Sequence, residues 1–333
     1  DARTCFNWLR TAIDYYEEVK NRDKIFELSM AYIAASTVKG NYKRSRTTIQ
    51  NLINRIEIRE GSLEWAMLFG AGVCLVDWYQ GLHRDCLRHA QKSIRILESK
   101  PDNLNNETYP AYAWALFWEQ KALAYTGRPI KMDRIQKIRE LTDQGKSDLT
   151  IYWHTLTAVG ARAAFTGRYK DLLQWKKVAA ELSRIMGKIY WFECWISHSF
   201  LYGALAHGEL TRIKPHINRV AESPDPYQRR LSYLFKGRYE LIKGNYIKAI
   251  ENLELFIRLE KSKKDNSFPE GLVYLAKTYL AKNNRIKSRS LIEQGLKIVT
   301  AGQFENPFYE MQFLRLRGEL RLQADQFEQS KND

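Results

Sequence analysis

Three residues in the first third of the chain have the chemistry of metal ligands: His83, Cys86 and His89. Imidazole and thiolate both bind zinc-type ions well. Their spacing argues against a shared ion. On a helix, position i+6 has turned about 240° from i, so the three side chains diverge. They read as a partly exposed polar face, and no metal site is expected. The other histidines, His154, His198, His207 and His216, are dispersed. The chain has no Gly-x-Ser-x-Gly, no glycine loop ending in Lys-Ser/Thr, no His-Glu-x-x-His and no Gly-x-Gly-x-x-Gly. Adjacent carboxylates such as Glu17 and Glu18 point in different directions on a helix and are expected in solvent. With no catalytic residue and no cofactor motif to name, the sequence predicts a binding chain rather than an enzyme.

Composition narrows the setting. The 333 residues are 44% hydrophobic, which is ordinary for a folded chain and too high for a disordered one. Only 8 Pro and 18 Gly disfavour a turn-rich all-β fold. The longest apolar stretch, from Ala66 to Asp77, falls short of the ~18–20 residues of a membrane span. No membrane partner is expected, and the first residues lack the apolar core of a signal peptide. The four cysteines, Cys5, Cys74, Cys86 and Cys194, are scattered, which suggests reduced thiols and a cytoplasmic location. The single sequon, Asn106-Glu107-Thr108, reads as a chance triplet. The first residue is Asp1, so the chain reads as a piece of a longer protein, with any catalytic domain upstream.

The formal charge is +15. Basic residues cluster at Lys43, Arg44 and Arg46; at Arg128, Lys131, Arg134, Lys137 and Arg139; at Arg229 and Arg230; and at Lys261, Lys263 and Lys264. Such charge could bind phosphate backbones by counterion release. Helical repeats that read RNA also carry two or three polar residues per unit in register. No such column occurs, so an acidic protein surface is the favoured partner and nucleic acid the second reading. A purely structural array, spacing or dimerising other domains, is the third.

One phrase recurs along the chain, with Gly closing one helix before a basic amphipathic helix begins. It falls at Gly40, Gly81, Gly127, Gly167, Gly208 and Gly244, and at Asn283 with Asn in the same slot. The steps are 41, 46, 40, 41, 36 and 39 residues. The slot needs the left-handed conformation, which Gly takes freely and Asn tolerates next best. Around it the period is helical: Leu272, Leu275, Ala276 and Tyr279 share one face, as do Ile247, Ile250, Leu253 and Ile257. Ser267-Phe268-Pro269-Glu270 reads as a capping box. Asp225-Pro226 and Asn306-Pro307 each read as a cap before a first-turn proline. About sixteen helices in antiparallel pairs are predicted.

This pattern resembles the tetratricopeptide repeat. The resemblance rests on Leu272, Leu275, Ala276, Tyr279, Asn283, Ser288 and Gly295. It also rests on Tyr233, Gly237, Gly244, Tyr246 and Ala249, on Leu156, Gly160, Gly167, Tyr169 and Ala179, and on Cys74, Cys86 and Ser93 at small positions. The spacing exceeds the family's 34 residues and is similar to that of the sensor domains of MalT-like regulators and other signal-transduction ATPases. The resemblance implies an all-α, right-handed superhelix (an α-solenoid) of about seven antiparallel helix pairs. The units would be 3–57, 61–99, 106–144, 148–186, 189–223, 226–262 and 267–301, with a terminal helix at 307–325, all in one array over 1–333.

In that family the first helix of each pair, helix A, lines the inner face. By resemblance this face carries Trp78, Tyr79, Trp114, Lys121, Tyr125, His154, Thr157, Phe165, Trp195, His198, Tyr202, Arg238 and Lys277. Aromatic rings with cations among them suit a protein segment or peptide, where rings give contact area and Arg or Lys holds a carboxylate. The competing reading places many of these rings in the core between helices. The expected function is recognition: a regulatory or signalling module that binds a protein segment or a small effector.

Overall fold

The computed structural model describes residues 2–187, 190–261, 268–300 and 307–332. Its helices are α1 (Ala2–Glu18), α2 (Arg22–Val38), α3 (Tyr42–Arg55), α4 (Leu63–Met67), α5 (Cys74–Tyr79), α6 (His83–Glu98), α7 (Tyr109–Tyr125), α8 (Met132–Asp143), α9 (Leu149–Phe165), α10 (Tyr169–Ile185), α11 (Tyr190–Ala206), α12 (Lys214–Ala221), α13 (Pro226–Ile242), α14 (Tyr246–Lys261), α15 (Phe268–Ala281), α16 (Arg285–Thr300) and α17 (Pro307–Asn332). A π-helical turn, Leu68–Val73, joins α4 to α5. No strand occurs among the described residues.

The chain divides into two compact units. The first is Asp1–Leu123 with Ile130–Thr155, and the second is Ala124–Pro129 with Leu156–Asp333. In the second unit, from α10 to α17, each helix packs on its successor. α11, α13, α15 and α17 also pack on one another in turn.

The turns follow the recurring slot. Gly40, Gly81, Gly127, Gly167, Gly208 and Gly244 all have φ between 69° and 77°, and Asn283 has φ 59°. At Asn283 the left-handed residue donates its N–H to Leu280 O (2.9 Å), and Asn284 N–H reaches Tyr279 O (2.8 Å). These two bonds satisfy carbonyls that the helix end would leave orphaned. Starts follow their caps as well. Asp225 Oδ1 accepts the Tyr227 N–H at 2.9 Å ahead of Pro226. The proposed caps at Ser267 and Asn306, and the cluster Lys261, Lys263 and Lys264, lie outside the residues whose side chains are described.

Two local readings differ from the structure. The stretch 3–57 holds three helices, α1 to α3, because α1 closes on Lys20 at φ 55°, a turn without glycine. Ile247 is 65% exposed. The buried stripe of α14 runs instead through Ala249, Leu253 and Phe256, at i, i+4 and i+7.

Close approach explains the small residues. Cys74, Cys86, Ser93, Ala249, Ala276 and Ser288 are wholly buried. A Cβ on Gly160 of α9 would lie 2.7 Å from the Trp175 ring of α10. On Gly295 of α16 it would overlap the ring of Phe313, which is itself fully buried on α17. Gly295→Ala is therefore expected to lower stability by about 1–3 kcal/mol, because the ring has nowhere to move. Alanine's helix propensity advantage of ~1 kcal/mol offsets only part of this. The denaturant midpoint measures the outcome, and an unchanged midpoint would refute the close approach.

Candidate functional site

The inner-face residues predicted from sequence fall into two ring clusters, one in each unit. In the first unit α5, α7 and α9 supply Trp78, Trp114, Lys121 and His154. Trp78 meets Trp118 at 6.1 Å between centroids. Trp114 stacks on Trp118 at 6.2 Å and meets His154 at 5.7 Å. The Lys121 ammonium stands 5.2 Å over the Trp78 ring. Trp78 is 2% exposed and Lys121 5%, while Trp114 and His154 are half-buried.

Burial disfavours charge here. It pulls the Lys121 ammonium down to about 7. Burial first, and the nearby Lys121 second, hold His83 and His154 down at about 3. Both imidazoles are neutral at ordinary pH. The three residues first weighed as ligands do not converge. His83 and Cys86 are buried, and His89 Nδ1 lies 2.8 Å from Asp77 Oδ2. Among the described residues no three His, Cys, Asp or Glu side chains could hold a metal ion together.

In the second unit successive A helices carry a column of rings. Tyr125 meets Phe165 at 5.1 Å, Phe165 meets Tyr202 at 6.4 Å, and Tyr202 meets Phe235 at 5.2 Å. Trp195 and His198 of α11 are 4.9 Å apart, and His198 is 5.1 Å from Tyr202. Phe308, at the start of α17, reaches Phe165 at 5.3 Å.

Arg238 behaves differently from the ligand-holding arginine expected of it. Its Nη1 donates to Glu270 Oε1 at 2.9 Å, and its Nη2 donates to Tyr202 O at 3.1 Å. The guanidinium also stands 4.4 Å over the Tyr274 ring. Tyr309 donates its hydroxyl to Glu270 Oε2 at 3.0 Å. Arg238 and Glu270 are 2% and 3% exposed. Its carboxylate partner is thus internal. Burial raises the Glu270 carboxyl above its ordinary range, against the pull of Arg238 and the Tyr309 hydroxyl. Lys277, half-buried, donates to Gln312 Oε1 at 3.1 Å.

Several polar atoms in this second unit are buried without a hydrogen-bond partner among the described residues. They include Trp175 Nε1, Ser183 Oγ, Trp195 Nε1, Arg238 Nε and both amide atoms of Gln228, a residue with no exposed surface. Gln228 was missed from sequence because one polar residue inside a helical stripe carries no signal of its own. Glu270 was read only as a capping glutamate. Its distance from Arg238 in sequence, 32 residues, was the available clue. Arg46 with Asp77, Lys92 with Glu60 and Arg230 with Glu260 also pair across roughly one repeat.

Those pairs bear on the basic clusters too. Arg46, Lys131 and Arg230 are matched by buried carboxylates, and Arg134 by the exposed Glu98. Lys43, Arg44, Arg128 and Lys137 are exposed. Among the described residues no helix is long and apolar enough to cross a membrane.

No protein-family model matches the chain, and no curated protein matches it in sequence. Among solved structures it is similar to a Rap protein complexed with competence and sporulation factor. The TM-score is 0.60 at 11% identity, over 87% of this chain and 80% of that chain. At that identity the likeness is one of fold, and the chain has an all-α helical-repeat fold of the tetratricopeptide-like kind.

Proposed function

We propose that the chain is a non-catalytic recognition module of a larger regulatory protein in the cytoplasm. It holds a protein segment, or a small effector, on the ring-bearing A-helix face of the second unit, and occupancy is relayed to other domains. Its repeat step near 40 residues supports a sensor role of the MalT-like kind. The similar Rap structure, a complex with competence and sporulation factor, supports the reading that such a fold holds another molecule.

The observation that carries the proposal is the column of half-buried rings, Tyr125, Phe165 and Tyr202, on successive A helices. Beneath it, a buried donor or acceptor without a partner costs about 1–3 kcal/mol. Half-buried rings at this spacing give a bound peptide contact area, while the buried polar atoms of Trp195, Gln228 and Arg238 lie beneath them. With Arg238 already neutralised, Lys277 is the cation on this face that draws an acidic partner.

Peptides selected from a random display library against the whole chain supply the probe. The double variant Trp195→Ala, Tyr202→Ala is expected to bind them at least tenfold more weakly with far-UV helicity retained. Gln228→Leu separates binding from folding. It is expected to raise the stability of the free chain by about 1–2 kcal/mol, since it removes two unsatisfied groups, and to leave peptide binding unchanged, since the side chain has no exposed surface. Equal affinity of all variants for the selected peptides would end the proposal.

A further inference from the structure

A second site lies away from these rings, on the side formed by α10 and α12 against α11. A cleft of about 500 Å³ opens there, lined by Lys176, Lys177, Ser183, Arg184, His216 and Arg219 together with Glu181 and Glu193. Its volume suits a small ligand. We propose that this cleft binds a small phosphorylated anion.

The argument begins at His216. Lys176 Nζ lies 2.9 Å from His216 Nε2, and His216 Nδ1 lies 2.9 Å from Ser197 Oγ. An ammonium can only donate, so Nε2 must be the accepting nitrogen. The ring proton therefore sits on Nδ1 and is donated to Ser197. This fixes one neutral tautomer. Burial first, then the charges of Lys176 and Arg219, hold His216 down at about 4, in keeping with that tautomer. It also rules out a serine hydrolase reading of the Ser197–His216 pair. The imidazole has no lone pair left to take the serine proton.

What remains is a cation fixed in place without a counter-charge. The Lys176 ammonium is anchored by a neutral ring and stands 3.8 Å over Phe200. Among the described residues no carboxylate pairs with it, nor with Lys177. Burial and the Arg219 charge both disfavour its protonated form. Arg184 pairs with Glu181 at 2.7 Å and Arg219 with Glu193 at 3.6 Å. Four cations thus face two carboxylates in one cleft, a net of two positive charges.

An independent observation points the same way. Ser183 is 2% exposed, lines the cleft, and its hydroxyl has no partner among the described residues. A hydroxyl donor lining the same cleft as an uncompensated ammonium suits the oxygens of a dianion. A phosphate monoester matches the doubled charge, whereas a single carboxylate would leave half of it.

Thermal unfolding of the whole chain tests this. Inorganic phosphate at 10 mM is expected to raise Tm by about 3 °C over sodium chloride of equal ionic strength. Adenosine monophosphate is the second probe. A larger rise with it assigns the site to a phosphorylated metabolite, and an equal rise assigns it to free phosphate. Lys176→Met and, separately, the exposed Lys177→Ser should each remove at least half of the phosphate-dependent rise while both variants still unfold cooperatively in chloride. Lys176→Met also relieves the like-charge cluster, so its own Tm in chloride is expected to hold or increase. The proposal fails if phosphate and chloride give the same Tm. It also fails if acetate matches phosphate, or if both variants keep the full rise.

Discussion

Replacing Arg238 with leucine is expected to cost about 3–5 kcal/mol of stability, the largest loss of any single change considered. The reason is what it leaves behind. Glu270 is 3% exposed, and Arg238 is its cationic partner at 2.9 Å. Without the guanidinium, a buried carboxylate is left with hydroxyls such as that of Tyr309 and the weaker influence of the Lys277 charge. Removing both charges, in Arg238→Leu, Glu270→Leu, should recover most of the loss, because two apolar side chains need no desolvation of charge. The sign with pH is fixed as well. Burial already raises the Glu270 carboxyl, and loss of Arg238 raises it further. A carboxyl whose folded value lies above its unfolded value is most stabilising when protonated, and that benefit is lost as pH rises toward the folded value. The variant should therefore be hurt less at pH 5 than at pH 8. Urea unfolding of the two single variants and the double variant at both pH values completes the cycle. Additive losses, with no recovery in the double variant, would show that the pair is not coupled.

Lys121→Met is expected to act in the opposite direction, raising stability at pH 7 by roughly 2–4 kcal/mol. Burial brings the folded ammonium from 10.5 down to about 7. At about 1.4 kcal/mol per pH unit, that difference sets a ceiling near 5 kcal/mol, and some is lost with the contact to Trp78. The stability tied to a depressed lysine is present in full above its unfolded value of 10.5 and is lost as pH falls to about 7. The gap between variant and parent should therefore close as pH rises from 7 to 10. Chemical unfolding across that range reads the gap directly, and a constant gap would mean that the effect is packing alone.

The turns were readable because they depend on one residue's backbone. A left-handed helix end accepts Gly or Asn and few others, so seven slots announced seven turns. The turn at Lys20 uses the same conformation with an ordinary side chain, and no sequence rule would have found it. Small buried residues were readable for a related reason, since a narrow contact excludes bulk. The candidate site was less legible. Aromatic residues at helical spacing announce contact but not with what, and Trp195 and His198 proved 6% and 3% exposed. Arg238 looked available because its partner lies a repeat away. Charge pairing across stacked helices is set by three-dimensional register, which periodicity within one helix does not report. Gln228 belongs to the same class, because its solitude is a property of its neighbours.

The π-helical turn at Leu68–Val73 has a consequence for how the repeats are compared. Cys74 N–H bonds back to Phe69 O, five residues away instead of four. One extra residue is thereby accommodated, and everything after it is rotated by about 100° relative to an uninterrupted α-helix. Asp77 and Trp78 owe their orientation, toward Arg46 and Lys121 respectively, to that offset. The rod from Leu63 to Tyr79 therefore runs in two reading frames. Superposing its sequence on the other A helices without a gap near Gly70 pairs Trp78 with the wrong rung. The gap marks where this helix spends one residue more than an uninterrupted α-helix of the same length would.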